Sequence, residues 1–305
     1  MPDYQPHITL FNDERYHRCN LRPGQRLFRY DHVVGNSLIG TLSGVVEDEL
    51  LDCGHSAPFG GIDCARRRET AGAVLGLLRA ANTRARADGI REIRIRARPG
   101  YFGPNEFASQ FALLNLGASI ESCELALGLE PWRFGAAEEY LAMLQPAERS
   151  AVRHGLRTGL VFDPAETTGD WAACYELLAA TKRRRGAQPS ISFDYLMMLN
   201  EIFGKRIAMH RLIQDGELAG AALVYRVSRD WDYVAAWGDD LRHRHNRVMN
   251  VMAYQLVCAA IVQRVTVIDI GTSSVRGVPD DGLVQFKRNI GGATGLRLNF
   301  RLSLA

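Results

Sequence analysis

Three apolar runs, at residues 206–214, 217–227 and 232–237, follow one another so closely that little besides a turn fits between them. Asp215-Gly216, a pair that accepts positive φ, separates the first two, so they read as a hairpin and the three together as an antiparallel meander. Residues 248–262 are apolar on nearly all sides and too long for a strand, which predicts a buried helix. A further strand follows at 265–270. A meander, a buried helix and a strand beyond it leave few ways to close a sheet, and this order constrains the fold more than any other feature of the chain.

The flanking segments continue the pattern. Residues 160–163 read as a short strand, 171–184 as a helix ending in the basic run 182–185, 193–203 as a second helix, and 296–303 as a final alternating strand. In the first half, after an irregular start, a strand is expected at 36–47 and a Gly/Pro-punctuated loop at 55–62 (HSAPFGGI). A helical register begins at Glu69, with Val74, Leu77, Leu78, Ala81 and Ala85 on one face and Asp88-Gly89 at its end. Residues 90–97 alternate apolar and basic side chains as a strand; Asn105 caps a helix running to Leu116 and stopped by Gly117; 120–129 supplies another strand and 138–144 starts a new helix. Both halves therefore alternate strands with helices, an α/β (α+β) plan in two units, 1–140 and 141–305, and 305 residues suffice for two domains.

Composition narrows the function classes. The hydrophobic fraction of 47% and the charged fraction of 23% are those of a globular chain, and a net charge of +3 does not point to DNA. Of 37 basic residues only Lys182, Lys205 and Lys287 are lysine. Residues 141–305 carry the positive excess, which suits either a solvated surface or a site for an anionic group. Six scattered cysteines form no CxxC and no zinc spacing, so no metal is expected. Neither a secretory signal core nor an apolar run of membrane-spanning length is evident, so a cytoplasmic protein with no membrane span is expected.

Several strings sharpen the plan. GELAGAALVY at 216–225, YVAAW at 233–237, the apolar helix, IDIGTS at 268–273 and QFKRNIG at 285–291 stand in the order found in the acetyltransferase (GNAT) domain of the FemAB-like N-acyltransferases, and HSAPFGGI resembles the Gly/Pro loop of that group's first domain. The resemblance spans nearly the whole chain and is most specific over residues 205–300. It implies two tandem GNAT-like domains, each a mixed, largely antiparallel sheet flanked by helices, with chemistry in the second and the acceptor in the cleft between them. The reaction implied is acyl transfer to an amine of a small or cell-envelope-precursor substrate such as an amino-sugar. The donor would be an acyl-CoA thioester or, in the alternative, aminoacyl-tRNA; a non-catalytic binding protein with this fold is the reading from another class. A homodimer would be the default assembly.

The chain departs from the pattern in two places. The Gly-rich pyrophosphate loop of acyl-CoA members is replaced by DDLRHRHNR at 239–247, whose side chains would have to bind phosphate instead. Where peptidoglycan-bridge members place an Arg four residues before a Tyr, this chain has Ile191 and Tyr195, and it has no long coiled-coil arm for tRNA.

Such chemistry needs donors for an oxyanion and an acceptor for the amine proton. Strand divergence between 232–237 and 265–270 would leave backbone N–H groups for the first. Lys287 is the candidate cation for the oxyanion or a substrate phosphate, or else a surface charge near a strand end. Asp269 and Asp239 are candidate bases, with Asp269 equally readable as half of a buried pair. His243, Arg242 and Arg247 could hold phosphate or be solvated, and Arg184 could clamp an anionic acceptor or simply end its helix. His55 and Phe59 in the first-domain loop, Tyr195, Trp237 and Ser273 complete the candidate binding residues.

Overall fold

The computed structural model describes residues 8–65 and 70–304. Glu69, where the helical register begins, lies outside them.

The first half runs α1 (Glu14–Cys19), β1 (Arg26–Val34), β2 (Ser37–Glu47), β3 (Leu50–Asp52), β4 (Ile62–Cys64), α2 (Ala71–Ala87), β5 (Glu92–Arg96), α3 (Pro104–Asn115), β6 (Ser119–Leu129) and α4 (Ala137–Met143). The second runs α5 (Pro146–Arg157), β7 (Val161–Pro164), α6 (Thr168–Arg184), α7 (Phe193–Phe203), β8 (Ile207–Gln214), β9 (Glu217–Arg226), β10 (Trp231–Asp239), α8 (Val248–Gln263), β11 (Val267–Thr272), a two-strand ribbon β12 (Ser274–Val275) and β13 (Val278–Pro279), α9 (Asp281–Asn289) and β14 (Ala293–Ser303).

The meander, the buried helix and the strand after it stand where the periodicity puts them. α8 buries Val248, Val251, Met252, Leu256, Val257 and Ala260, which together cover most of its circumference. Two expectations are corrected, the irregular start and the Asn105 cap, and two helices stand where the sequence reading placed no element. The irregular start contains β1, whose alternation is masked by arginines, Asp31 and His32 on a half-exposed strand next to β2. Residues 146–157 form α5, a helix with few apolar positions. Asn105 does not cap α3, which begins a residue earlier behind Gly103. The QFKRNIG string is not extended: Asp280 accepts from the Leu283 amide at 2.9 Å, and Leu283, Phe286 and Ile290 recur at helical spacing, so Lys287 sits on α9.

All but the small ribbon join one 12-stranded sheet, ordered β1-β2-β3-β5-β14-β6-β11-β10-β9-β8-β7 with β4 beside β2. Most pairings are antiparallel; β3–β5 and β10–β11 are parallel. β14 does not close the second half. It pairs with β5 from Asn299 to Ser303 and with β6 from Ala293 to Arg301, in the sheet of the first half. The two halves also share a core: Leu10, Phe11, Tyr16 and Phe59 pack with Trp171, Leu178, Leu196 and Tyr225 under α6 and α7. On the opposite sheet face α4, α5 and α8 cover a second cluster around Leu212, Val224 and Ile268.

Candidate functional site

β10 and β11 run parallel for only three rungs, the last joining Tyr233 to Asp269. Beyond it they diverge, and the register of β10 against β9 slips between Val234 and Ala236, a bulge at Ala235. The polar backbone edge of β10 that faces β11 past Tyr233 has no strand partner among the described residues. A slot of this kind presents fixed N–H donors to a ligand.

Lys287 reaches the β11 side of the slot from α9. Its Nζ donates to the carbonyls of Gly271 and Thr272, both at 2.9 Å, and the side chain is buried. Burial pushes its pKa down from 10.5 to about 7, against the opposing pull of Asp269. Beside it, Phe286 meets Trp237 of β10 edge-on at 6.0 Å. Phe286 thus holds α9 against β10 at Trp237, while Lys287 is bonded to β11.

Asp269, on the last rung, is fully buried and saturated. One oxygen accepts from Arg297 at 2.6 Å; the other accepts from Tyr101 Oη at 3.1 Å and from the Gly271 amide at 2.7 Å. Tyr101 is aimed there by two glycines: a Cβ at Gly128 would lie 2.6 Å from its ring, and one at Gly295 2.8 Å. Asp239 is likewise engaged, with Arg244 at 3.1 Å and Arg184 at 3.6 Å, while Arg184 also donates to the Asp239 carbonyl at 2.8 Å. Both carboxylates are thus held in ion pairs with arginines.

On the other face of the sheet a cavity of about 580 Å³ opens between α6, α7, β9, β10 and the segments 16–20 and 56–58 of the first half. Ala235 and Ala236 form part of its wall, so the cavity meets the bulge that begins the slot. Tyr195 lines it, with its hydroxyl donating to Asn20 Oδ1 at 2.9 Å. The Gly/Pro loop contributes Ser56, Ala57 and Pro58 rather than the residues on either side. His55 turns to the Asn20 carbonyl at 3.1 Å, and Phe59 is wholly buried between Phe11 and Phe102, at 5.2 Å from each.

The expected phosphate-binding loop is a 3-10 turn whose side chains are largely taken. His243 meets Gln214 at 3.0 Å and Glu217 at 3.3 Å; Arg242 pairs with Asp240 and Glu217; Arg247 is exposed and sits in the left-handed region at φ 58° ahead of α8. α5 covers the start of α8, where Glu148 accepts from Asn250 at 2.6 Å and from Asn289 at 3.0 Å. Ser273 is buried, its amide donating to Leu125 at 2.7 Å and its hydroxyl unpartnered.

Sequence reasoning missed Arg297, Tyr101, Arg96, Lys182 and Tyr16. Arg297 alternates with Leu296 and Leu298 as a solvent-facing residue would; only the placement of β14 inside a covered sheet buries it. Among the described residues no cluster of three or more His, Cys, Asp or Glu is placed to hold a metal, and no helix is long and apolar enough to cross a membrane.

A diverging parallel strand pair, a bulged meander strand and a buried helix between them define a GNAT fold, and residues 147–288 match the model described as an acetyltransferase (GNAT) domain. That match spans less than half of the chain, and the whole chain has the fold of tandem GNAT-like units. The crystal structure of FemX aligns over 99% of this chain and 93% of that one, with TM-score 0.76 and 13% identity. The C-terminal domain of a putative lysylphosphatidylglycerol synthetase from Agrobacterium fabrum aligns over 94% and 85%, with TM-score 0.56 and 9% identity. A tandem GNAT protein from the clavulanic acid biosynthesis pathway aligns over 93% and 85%, with TM-score 0.51 and 14% identity. No curated protein matches the sequence.

Proposed function

We propose that this chain is an N-acyltransferase that moves an acyl group from a thioester of the acyl-CoA type to an amine of a small or cell-envelope-precursor substrate. The observation that carries the reading is the junction of slot and cavity at Ala235, with Lys287 on the slot side. The acyl carbonyl lies in the slot and the acceptor amine approaches from the cavity. Nitrogen attacks the carbonyl carbon; the oxyanion is held by Lys287 and the unpaired β10 amides. The carbon–sulfur bond then breaks, and the departing thiolate takes the proton the amine releases. Asp269 and Asp239 act here as positioning groups through their arginines.

Aminoacyl-tRNA is the second reading for the donor, favoured by the Glu148 carboxylate at the first turn of α8. A diphosphate placed there would meet like charge. Arg185, His245, Arg247 and Arg288 are exposed and have no carboxylate partner among the described residues, a footing for a polyanion. The fold similarity to FemX and to the C-terminal domain of a putative lysylphosphatidylglycerol synthetase supports the same direction.

Thermal unfolding with acetyl-CoA, longer acyl-CoAs and bulk aminoacyl-tRNA separates the readings. A donor bound only by the folded state stabilises it by about 2.7 kcal/mol at a hundredfold excess over its Kd. A shift with a CoA thioester supports the first reading, and a shift with charged tRNA alone replaces it with the second. No shift with any donor, and no acylated product, would leave a binding protein. With the donor found, Lys287→Met is expected to retain the shift and lose about 100-fold to 1000-fold in turnover.

A further inference from the structure

The cavity that receives the acceptor is one-sided in charge. Phe11, Tyr16, Tyr175, Tyr195, Tyr225 and Tyr233 face it with rings, whereas its only charged lining groups are Arg96 and Lys182; no Asp or Glu lines it among the described residues. The two cations come from different walls, β5 and α6, and both are poorly neutralised. Lys182 donates to Ser190 Oγ at 2.6 Å and forms no ion pair among the described residues, and partial burial lowers its pKa below the usual lysine value. Arg96 donates to the Ala57 carbonyl at 2.8 Å, and its nearest carboxylate, Asp52, is 4.0 Å away. Tyr225 is buried and lines the cavity.

An alkylammonium entering this space would meet two cations and no anion, and would have to lose its proton before it could attack. An amine that is already neutral near pH 7 meets neither obstacle. Its ring would stack on the tyrosines, and an anion elsewhere on the molecule would satisfy the two cations through charge-assisted hydrogen bonds. Resting on the acyl-transfer reading for the fate of the amine, we propose that the cavity takes a weakly basic aromatic amine bearing one carboxylate, the ring against the tyrosines and the carboxylate between Arg96 and Lys182. A volume of about 580 Å³ is suited to a small molecule of this class.

Calorimetric titration of the intact protein with three probes tests this without any donor. 4-Aminobenzoate has a neutral amine, 4-(aminomethyl)benzoate carries the same carboxylate with a charged alkylammonium, and aniline lacks the carboxylate. 4-Aminobenzoate is expected to bind at least about tenfold more tightly than either of the others, and Lys182→Met or Arg96→Met to lose about tenfold for 4-aminobenzoate alone. Equal or tighter binding of 4-(aminomethyl)benzoate or of aniline, or no binding of 4-aminobenzoate at millimolar concentration, overturns the proposal. If 4-aminobenzoate binds as expected and no donor ever yields product, the acyl-transfer reading fails while the ligand class stands.

Discussion

Lys287 concentrates the chemistry in one ammonium whose charge depends on conditions near neutrality. Its folded pKa, about 7, lies below the unfolded 10.5, so between those values the unfolded chain binds more protons and this group's contribution to stability rises with pH. The melting temperature of the wild type is expected to carry that slope and Lys287→Met to lack it; identical slopes in the two proteins would remove the burial argument. If the charged form holds the oxyanion, kcat must fall as pH rises through about 7, and Lys287→Arg, which stays protonated, must lose that descending limb. A limb that rises with pH in the same place would instead make the neutral amine of Lys287 the active form. The local string QFKRNIG made Lys287 visible in the sequence because lysine is rare in this chain. The partners of Asp269 were not visible, since Arg297 and Tyr101 lie far from it along the chain and reach it only through strand pairing.

Strands and helices set the site by what they leave out. β10 and β11 could be located by periodicity, and their divergence followed from the resemblance of the order of elements, whereas the bulge at Ala235 has no signature in YVAAW. α9 had no place in the reading of the sequence, and Asp280 is the cap that starts it. The Gly128–Gly295 cradle shows how a backbone position acts at a distance. Gly128→Ala would put a Cβ 2.6 Å from Tyr101 Cε2, pushing the ring off Asp269 at a cost of about 1–3 kcal/mol. Thermal denaturation should show that loss, and the same change made in a Tyr101→Ala background should show much less of it. Equal losses in both backgrounds would mean that Tyr101 is not what the added methyl meets.

Seen entire, the molecule is one sheet in which a strand from the second half completes the first. Periodicity located β14 but could not say whose neighbour it is, because alternation fixes a strand's faces and leaves its partners open. The fragment 1–140 on its own would have β5 and β6 with the strand between them missing, and the clusters joining Phe11 and Phe59 to α6 and α7 half empty. Denaturant unfolding of the intact chain is expected to give one transition with coincident fluorescence and circular dichroism, and fragment 1–140 to show no cooperative transition. Two resolved transitions, or a fragment that melts sharply, would show the halves to be independent. The position of β14 also orders events on the ribosome. β5 is synthesised 197 residues (293 − 96) and β6 164 residues (293 − 129) ahead of β14, and at about 5–20 residues per second they wait on the order of ten seconds with the strand between them missing. Through that interval the nascent chain offers its gap to any passing strand, so a chaperone that shields strand edges would govern the yield of this protein more than its final stability does.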